Sequence, residues 1–383
     1  MRAFTFKGLF LTAVFMLLGC LTIQAADDDL ITKQITIKLD KAGTLPDRIT
    51  SSKKYKITNL KIIGEINGTD FRMIREMAGS DYYGGSTEGN LSVLDLSEAK
   101  IVIGGGDCFN GYSCYTSNDV IGNRAFSGCS RLTSLTLPAS ITRIGDDAFC
   151  CCSGLTSLTL PAGITEIGGS AFNGCSRLTS LTLPAGITSI GGGAFYGCSG
   201  LTSLNLPAGI TEIGGGAFGF CSGLTSINLP AGITSIGEYA FYGCSGLTSV
   251  TLPAGITEIG ECAFYGCSGL TSLTLPAGIT TIGEGAFYGC SGLTSLTIPT
   301  GVSIINEYAF YDCSSLTRLD LPSSIREIYY SAFMNCRNLT SLTIPSNVTS
   351  ISSRAFSGCS SLKNITLPTR IFEIGDYAFY GCI

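Results

Sequence analysis

The sequence predicts a solenoid of short parallel β-strands, built from 23-residue repeats and preceded by an irregular N-terminal cap. Two observations support this fold class. Eleven prolines fall at a spacing of 23 residues between positions 138 and 368. The same step is kept by twelve Ala-Phe pairs between residues 125 and 379 and by twelve cysteines between residues 129 and 382. A unit this short cannot bury its apolar side chains alone, so neighbouring units must stack around one shared core.

Each repeat contains a leucine pattern that predicts one short strand. Leu155, Leu158 and Leu160 end in alternation at period two, which places these leucines on one inward face. Pro161 then ends the strand because proline has no amide hydrogen for a ladder. The chain turns into a second apolar stretch at residues 164–167, turns again at a glycine corner, and places an Ala-Phe pair in the core. We therefore expect a convex side made mostly of turns and irregular backbone.

The chain divides into three parts. Residues 1–26 are predicted to be a signal peptide, residues 27–119 a capping region with two irregular repeats, and residues 120–383 the regular repeats. The two irregular repeats show the same leucine spacing at residues 57–62 and 91–96. Thr69 and Asp70, followed by apolar residues at helical spacing, predict a short helix between these repeats.

The N-terminal segment predicts export. Arg2 and Lys7 precede an apolar run from Leu9 to Leu18, which is too short for a stable membrane span. Two cleavage sites compete: a lipobox that ends at Cys20, and an ordinary small-residue site at residues 23–25. The first would make the protein an outer-membrane or cell-surface lipoprotein with a lipid on Cys20, and the second a secreted protein.

The composition excludes several classes of function. The chain has no histidine, which rules out histidine-based catalytic triads and removes the commonest metal ligand. Its net charge is −5, and residues 178–317 contain no Lys or Arg, so we expect no nucleic-acid partner. The glycine runs fail the phosphate-loop and dinucleotide patterns. We therefore predict no cofactor and no metal.

The cysteines fall into two groups. The twelve periodic cysteines are expected to be buried free thiols, because parallel stacked side chains rarely reach the torsion that a disulfide needs. One cysteine per 23 residues also lacks the paired spacing of zinc sites. Cys108 and Cys114 lie in the cap and are the candidate disulfide of an exported protein.

The acidic residues of the repeats indicate structure rather than catalysis. Glu166, Glu212 and Glu258 occur in every second repeat, which keeps like charges off neighbouring strands. Arg143 precedes Glu166 by one repeat and is expected to pair with it. Glu258 and Glu261 are the nearest approach to a glycosidase pair, but both lie beside a turn with no predicted pocket. We therefore predict that the protein is not an enzyme.

Tyrosine follows the buried phenylalanine in six repeats, and these residues are the candidate ligand-binding residues. A stripe of exposed tyrosines offers large contact area at low entropic cost and suits a protein partner or a sugar. The alternative is that the rings only shield one coil from the next. The six residues are Tyr196, Tyr242, Tyr265, Tyr288, Tyr311 and Tyr380.

The repeat resembles the BspA-type leucine-rich repeat, a class found in surface proteins of Bacteroides-like bacteria. The resemblance covers residues 120–383 and rests on the unit LTSLTLPAGITEIGGGAFYGCSG. It implies a leucine-rich repeat solenoid that acts as a monomeric adhesion protein at the cell surface. Its partners would be host extracellular-matrix or surface proteins. A module that captures envelope glycans is the alternative function.

Overall fold

A computed structural model describes residues 30–110 and 115–382. Within these residues the predicted fold is confirmed, because parallel strands from successive repeats stack in register around one continuous core. The predicted signal peptide and Cys20 lie outside the described residues. No described helix combines the length and the apolar character that crossing a bilayer requires. The division of the chain at residue 119 stays a prediction.

The N-terminal cap contains all the helices that the structure describes and the longest strands. Its helices are α1 (Leu45–Arg48), α2 (Ser51–Lys54) and α3 (Gly68–Met77). Its strands are β1 (Ile35–Leu39), β2 (Asn59–Ile66) and β3 (Val93–Ile101). Strands β2 and β3 include the two irregular repeats of the sequence, whereas β1 lacks the leucine spacing and joins the sheet by pairing Ile35 with Leu60.

The predicted cap helix is present, and its N-terminus is capped by Asn67. The Asn67 side chain accepts a hydrogen bond from the Thr69 amide, and the Asp70 side chain accepts one from the Asn67 amide. This reciprocal arrangement satisfies two amides that the start of a helix leaves without partners. Thr69 and Asp70, expected from the sequence to mark the start of the helix, instead occupy its second and third positions.

The regular coils contribute short strands to the leucine face, except the coil of residues 272–274, which has no strand there. Neighbouring strands pair one repeat apart, as Leu204 pairs with Ile227 and Ile227 with Val250. The central residue of each strand is buried and the residues on either side are exposed, except in the last strand, which is exposed throughout. These strands are β5 (Ser134–Thr136), β7 (Ser157–Thr159), β9 (Ser180–Thr182), β11 (Ser203–Asn205), β13 (Ser226–Asn228), β15 (Ser249–Thr251), β18 (Ser295–Thr297), β20 (Arg318–Asp320), β22 (Ser341–Thr343) and β24 (Asn364–Thr366).

The coils also contribute a second row of two-residue strands, and every strand of this row except the first follows one of the periodic prolines. Each strand ends in an isoleucine, which is buried in all but the last, as at Ile259. These strands are β4 (Val120–Ile121), β6 (Arg143–Ile144), β8 (Glu166–Ile167), β10 (Ser189–Ile190), β12 (Glu212–Ile213), β14 (Ser235–Ile236), β16 (Glu258–Ile259), β17 (Thr281–Ile282), β19 (Ile304–Ile305), β21 (Glu327–Ile328), β23 (Ser350–Ile351) and β25 (Glu373–Ile374).

The second row confirms the predicted charge spacing. Ser189 pairs with Glu212, and Glu258 lies between Ser235 and Thr281, so no two of these carboxylates share a strand pair. Arg143 and Glu166 form the expected ion pair, with Nη2 2.9 Å from Oε1. Both side chains are about half exposed, so this pair contributes little to stability.

Candidate binding surface

The buried phenylalanine of each Ala-Phe pair fixes where the next residue points. The rings from Phe126 to Phe379 stack one on another with centroids 5.2–5.5 Å apart and planes within 10°. Because this column fills the core, the residue that follows each phenylalanine points away from it and is half-buried or exposed, except for the buried Gly219 and Ser357. In the coils that carry the six candidate tyrosines, this residue is the tyrosine. The packing of the phenylalanine column therefore fixes where each of these tyrosines lies.

Four of the predicted tyrosines form a continuous stack. The centroids of Tyr242 and Tyr265 are 4.8 Å apart, and those of Tyr265 and Tyr288 are 4.4 Å apart. Tyr311 continues the stack at 4.4 Å from Tyr288. All four side chains are half-buried. The rings therefore cover one another's faces and present their edges and hydroxyls to solvent.

Phe220 extends this stack and was missed by the sequence analysis. Its ring packs edge-to-face against Tyr196 at 5.3 Å and against Tyr242 at 5.1 Å. The signal was present, because this coil reads Ala-Phe-Gly-Phe where its neighbours read Ala-Phe-Tyr-Gly. Phe220 takes the glycine position with a φ of +54°, and its ring lies against Gly243 of the next coil, while the Tyr196 ring lies against Gly219. We call the six residues Tyr196, Phe220, Tyr242, Tyr265, Tyr288 and Tyr311 the aromatic ridge.

Tyr380, the sixth predicted tyrosine, is separate from the aromatic ridge. Met334 and Ser357 occupy the equivalent positions in the two coils between Tyr311 and Tyr380. Tyr380 is 68% exposed and contacts Tyr377 at 5.8 Å. The structure thus brings five of the six predicted residues together and leaves the sixth outside.

Further tyrosines flank the ridge three residues before its members. Tyr239 lies 5.8 Å from Tyr242, and Tyr308 lies 6.0 Å from Tyr311 and 5.4 Å from Tyr330. Tyr239 and Tyr308 follow the corner, at a position where five of the twelve coils have Gly or Ser. The sequence analysis missed them because they recur in only some repeats. They widen the aromatic surface toward the corner.

A column of four carboxylates runs along the corner beside the ridge. Glu238, Glu261, Glu284 and Glu307 occupy equivalent positions in four consecutive coils. We call these four residues the corner acid column. The sequence analysis considered only the strand position, where the acids alternate, although the corner acids show the same 23-residue step.

The corner acid column is electrostatically strained and linked to the ridge. Burial, together with the charges of Glu307 and Glu261, raises the pKa of Glu284. Tyr239 donates a hydrogen bond from its hydroxyl to Glu261 Oε1 at 2.8 Å, which contributes most to raising the pKa of Tyr239 to about 12. No Lys or Arg occurs between residues 178 and 317 to offset this charge. The surface beside the ridge is therefore strongly negative.

Burial and stacking keep the hydroxyls of Tyr265 and Tyr288 protonated. Burial and the neighbouring phenols raise the pKa of Tyr288 to about 12. Tyr265 is shifted in the same direction, first by burial and then by Tyr242. At physiological pH these hydroxyls can donate hydrogen bonds as well as accept them.

The leucine face is polar, and many of its hydroxyls are already used. Thr156, Thr179 and the equivalent threonines donate to the carbonyl oxygen of the threonine one repeat earlier, at 3.0–3.4 Å. The neighbouring serine and threonine side chains are exposed and uniform. This face therefore presents few features that would distinguish one ligand from another.

The periodic cysteines form a buried ladder of free thiols, as expected. Each thiol from Cys152 to Cys382 donates to the carbonyl oxygen of the phenylalanine 26 residues earlier, at 3.0–3.3 Å. Burial raises the pKa of Cys129 to about 11 and that of Cys221 to about 12. A buried thiol that stays protonated is a poor nucleophile, so this ladder is structural.

The remaining candidate residues give no assembled site. Cys108 is buried and disulfide-bonded, while Cys114 lies outside the described residues, so their pairing stays a prediction. Glu258 lies on β16, and Glu261 follows it at the corner. In residues 30–110 and 115–382, no group of three or more Cys, Asp or Glu side chains is arranged to hold a metal ion.

Comparison with solved structures identifies similar proteins. A leucine-rich repeat protein from Bacteroides ovatus is 31% identical, with a TM-score of 0.63 over 79% of this chain and 80% of that one. One from Eubacterium ventriosum is 24% identical, with a TM-score of 0.50 over 76% and 83%. A leucine rich cell surface protein from Faecalibacterium prausnitzii is 31% identical, with a TM-score of 0.43 over 63% and 81%.

The family comparison agrees with the repeat pattern. The BspA type leucine rich repeat region matches residues 109–224, 211–339 and 280–383, which together span well over half of the chain. No curated protein sequence matches the chain. From the family match and the Bacteroides ovatus structure, the chain belongs to the BspA-type leucine-rich repeat family, whose members typically act by binding.

Proposed function

We propose that this protein is a non-enzymatic cell-surface adhesion protein that binds a protein ligand, in the host matrix or on a cell surface, along the aromatic ridge. The observation that carries the proposal is the ridge itself, in which half-buried and exposed aromatic rings contact one another across six coils. Tyrosine and phenylalanine are enriched where protein interfaces gain most of their binding energy. The ridge offers such residues on a surface that the core holds rigid.

The packing of the ridge favours a protein partner over a sugar. Sugars stack on the open faces of aromatic rings, whereas Tyr265 and Tyr288 cover each other's faces at 4.4 Å. Their exposed edges and hydroxyls suit side chains and main-chain groups of a protein. Envelope glycan capture remains the alternative, because the isolated and exposed Tyr380 leaves ring surface uncovered.

The charge beside the ridge indicates the character of the partner. The corner acid column lies next to the ridge in coils that contain no Lys or Arg. A partner surface with lysines or arginines would relieve the repulsion between these carboxylates and place cations near the tyrosine rings. We therefore expect the interaction to weaken as the salt concentration rises.

Repetition would strengthen binding through avidity. Near-identical coils offer equivalent weak contacts, and a second contact on the same rod forms at a high effective concentration. Export through the predicted signal peptide, with a lipid on Cys20 or with ordinary cleavage, would place a monomeric rod outside the cell. Both routes of export would expose the repeats to a ligand outside the cell, so the proposal does not depend on which cleavage site is used.

The proposal is tested by removing two central rings from the ridge. The double variant Tyr265→Ser and Tyr288→Ser is compared with the wild type for binding to immobilised extracellular-matrix proteins and to a polysaccharide panel. We expect at least about a tenfold loss of affinity for the protein ligand, because such anchors carry most of an interface's energy. Tyr83→Ser is the matched control, since Tyr83 is 73% exposed and lies in the cap.

The outcomes separate the two functions. Loss of polysaccharide binding with matrix binding retained would favour glycan capture. Equal binding by the wild type and the double variant to every immobilised ligand would reject the ridge as the binding surface. Thermal unfolding of each variant shows that the proteins compared are folded. Hydrolysis of any of these polymers by the purified wild type would contradict the non-enzymatic assignment.

A further inference from the structure

A polar notch lies at the seam between the N-terminal cap and the first three regular coils. Its volume is about 420 Å³, and its cap side is formed by Gly79, Ser86 and Thr87. Its coil side is formed by Ser130, Arg131, Ser153, Gly154, Ser176 and Arg177. The notch contains no aromatic residue and shares no residue with the aromatic ridge.

A break in the repeat pattern creates the notch. The position two residues after the periodic cysteine is Arg131 in the first coil, Gly154 in the second and Arg177 in the third. The next five coils all have glycine there. Strand spacing puts the two arginine backbones about 9–10 Å apart, with glycine at the equivalent position of the coil between them. Two guanidinium groups therefore flank an open space.

Neither arginine is neutralised by the protein. The ion pairs among the described residues include Arg124 with Asp147 and Arg143 with Glu166, but none includes Arg131 or Arg177. Both side chains are exposed. The residues that line the notch include no Asp or Glu. The notch is thus a local excess of positive charge on a chain whose net charge is −5.

The floor of the notch is rich in hydrogen-bond donors. Gly154 is buried, and a Cβ at this position would lie 2.3 Å from the Ser130 carbonyl oxygen, so no other residue fits without moving the backbone. The main-chain amides of Ser153, Gly154 and Arg177 donate to no acceptor in the described part of the chain. Three serine hydroxyls add further donors. These amides and hydroxyls can donate to an anion that the two arginines attract.

The cap holds one side of the notch in place. The Arg131 amide donates to the Ala78 carbonyl oxygen at 3.2 Å, and the Thr87 amide donates to the Gly79 carbonyl oxygen at 3.2 Å. Gly79 has a φ of +104°, and a Cβ there would lie 3.0 Å from Arg131 Cγ. Glycine at this position therefore allows the stem of Arg131 to lie against the cap. The contact fixes where the guanidinium emerges.

We propose that this notch binds an oxyanion, namely the sulfate, phosphate or carboxylate group of a small polar ligand. Arg131 and Arg177 each donate hydrogen bonds from a planar guanidinium, whose fork matches the oxygens of such groups. The unpaired amides and the serine hydroxyls donate to the remaining oxygens. This site is independent of the aromatic ridge and lies where the cap meets the repeats.

The test compares one sugar with and without an anionic group. The full chain is titrated calorimetrically with glucose, glucose 6-sulfate, glucose 6-phosphate and glucuronate at constant ionic strength. We expect at least one anionic sugar to bind and glucose not to bind. The double variant Arg131→Gln and Arg177→Gln should lose about tenfold or more in affinity, because both charged donors are removed. Arg370→Gln, at an exposed arginine outside the notch, should stay within about twofold of the wild type.

A second variant tests the position of the anion. Ser153→Asp places a carboxylate between the two arginines, where it competes with the ligand, and should lower affinity as much as the double variant does. The three anionic sugars distinguish which oxyanion is preferred. The proposal is overturned if no anionic sugar binds better than glucose, if either notch variant binds as the wild type does, or if Arg370→Gln weakens binding equally.

Discussion

The N-terminal cap and the regular coils differ in the contacts that hold successive strands together. In the cap, β2 and β3 have eight and nine residues, and their pairing contains a register shift between Lys61 and Ile63. Lys61 also forms ion pairs with Asp95 and Glu98 at 3.3 Å and 2.7 Å. In the coils, strands of two or three residues repeat the same few contacts at every step.

The buried polar residues show the same contrast. Asp70 is fully buried in the cap and accepts hydrogen bonds from the amides of Gly43, Leu45 and Asn67 at 2.6–2.9 Å. Arg75 is also fully buried and donates to the Arg124 carbonyl oxygen of the first coil at 2.7 Å. The coils instead repeat the thiol ladder. The cap is therefore held by individual contacts and the coils by a repeated one.

The largest expected effect is a loss of unfolding free energy at alkaline pH, and it should arise in the coils because they contain the thiol ladder. Burial raises the pKa of Cys267 to about 12 in the folded coils, and the other ladder thiols are shifted in the same direction. Stability is complete below the unfolded thiol pKa and falls as the pH rises above it, by about 1.4 kcal/mol per pH unit for each thiol. Each thiol that becomes exposed in the same unfolding step adds its own loss, so coils that unfold together lose more stability than a single thiol accounts for. Urea unfolding between pH 8 and pH 10, with reductant present, measures this loss.

A thiol-deficient variant provides the control. Replacing Cys221, Cys244 and Cys267 by alanine removes three titrating groups, so the dependence of unfolding free energy on pH should flatten by about 4 kcal/mol per unit. Any loss of stability that the substitutions themselves cause is the same at pH 7 as at higher pH. It therefore does not change how steeply the unfolding free energy falls with pH. An unfolding free energy that stays constant from pH 8 to pH 10 would contradict the role of the ladder.

Removing one ring of the phenylalanine column should strongly destabilise the coils. Phe241→Ala removes a fully buried ring stacked on both Phe218 and Phe264, and we expect a loss of about 3–5 kcal/mol in unfolding free energy. Phe379→Ala should cost less, because Phe379 is half-buried and stacks only on Phe356 among the described residues. Chemical denaturation of the two variants measures the difference. Equal losses would mean that stacking on both sides adds nothing.

Removing the buried Asp70 carboxylate should destabilise the cap and leave the stability of the coils unchanged. Asp70→Ala leaves three amides without their acceptor and should lower local stability by about 2–4 kcal/mol. Hydrogen exchange should accelerate at Gly43, Leu45 and α3 but not in the central coils, because each coil depends mainly on its neighbours. Asp40→Ala is the control, since its ion pair with Arg48 is exposed. Faster exchange throughout the coils would show that cap and coils unfold together.

Neutralising one corner acid should give the smallest effect, and it should be stabilising. Glu284→Gln relieves repulsion from Glu261 and Glu307 and should raise unfolding stability by a few tenths of a kcal/mol. Glu258→Gln should change little, because its strand neighbours are Ser235 and Thr281. Thermal unfolding at low salt compares the two variants, and high salt should remove the difference. A destabilised Glu284→Gln would show that this carboxylate makes a contact that outweighs the repulsion.

The regular coils were largely predictable from the sequence, whereas the cap was not. A 23-residue step fixes register, so the pairing of Glu258 with Thr281 and the burial of the ladder thiols followed directly. In the cap no step is repeated, and β1 pairs through residues that share no leucine spacing with β2. The role of Asp70 depends on distant amides that sequence proximity does not reveal.

The candidate surfaces were only partly predictable, for a related reason. Tyrosines that follow the phenylalanine column were visible as a pattern, but Phe220 joins them from a different position of the repeat. The stacking distance that covers the ring faces depends on side-chain packing. Likewise, Arg131 and Arg177 are ordinary residues in sequence, and only coil stacking against the cap places them around one notch.

The identical register of successive coils also bears on how such a protein changes over generations. Because each unit meets its neighbours through the same pairs, as Ser203 meets Ser226 and Ser226 meets Ser249, duplicating or deleting one whole unit recreates an existing junction. Gene rearrangement in multiples of 69 base pairs would therefore alter the reach of the molecule while leaving every seam intact. Length becomes a heritable variable that selection can adjust without redesigning the interior.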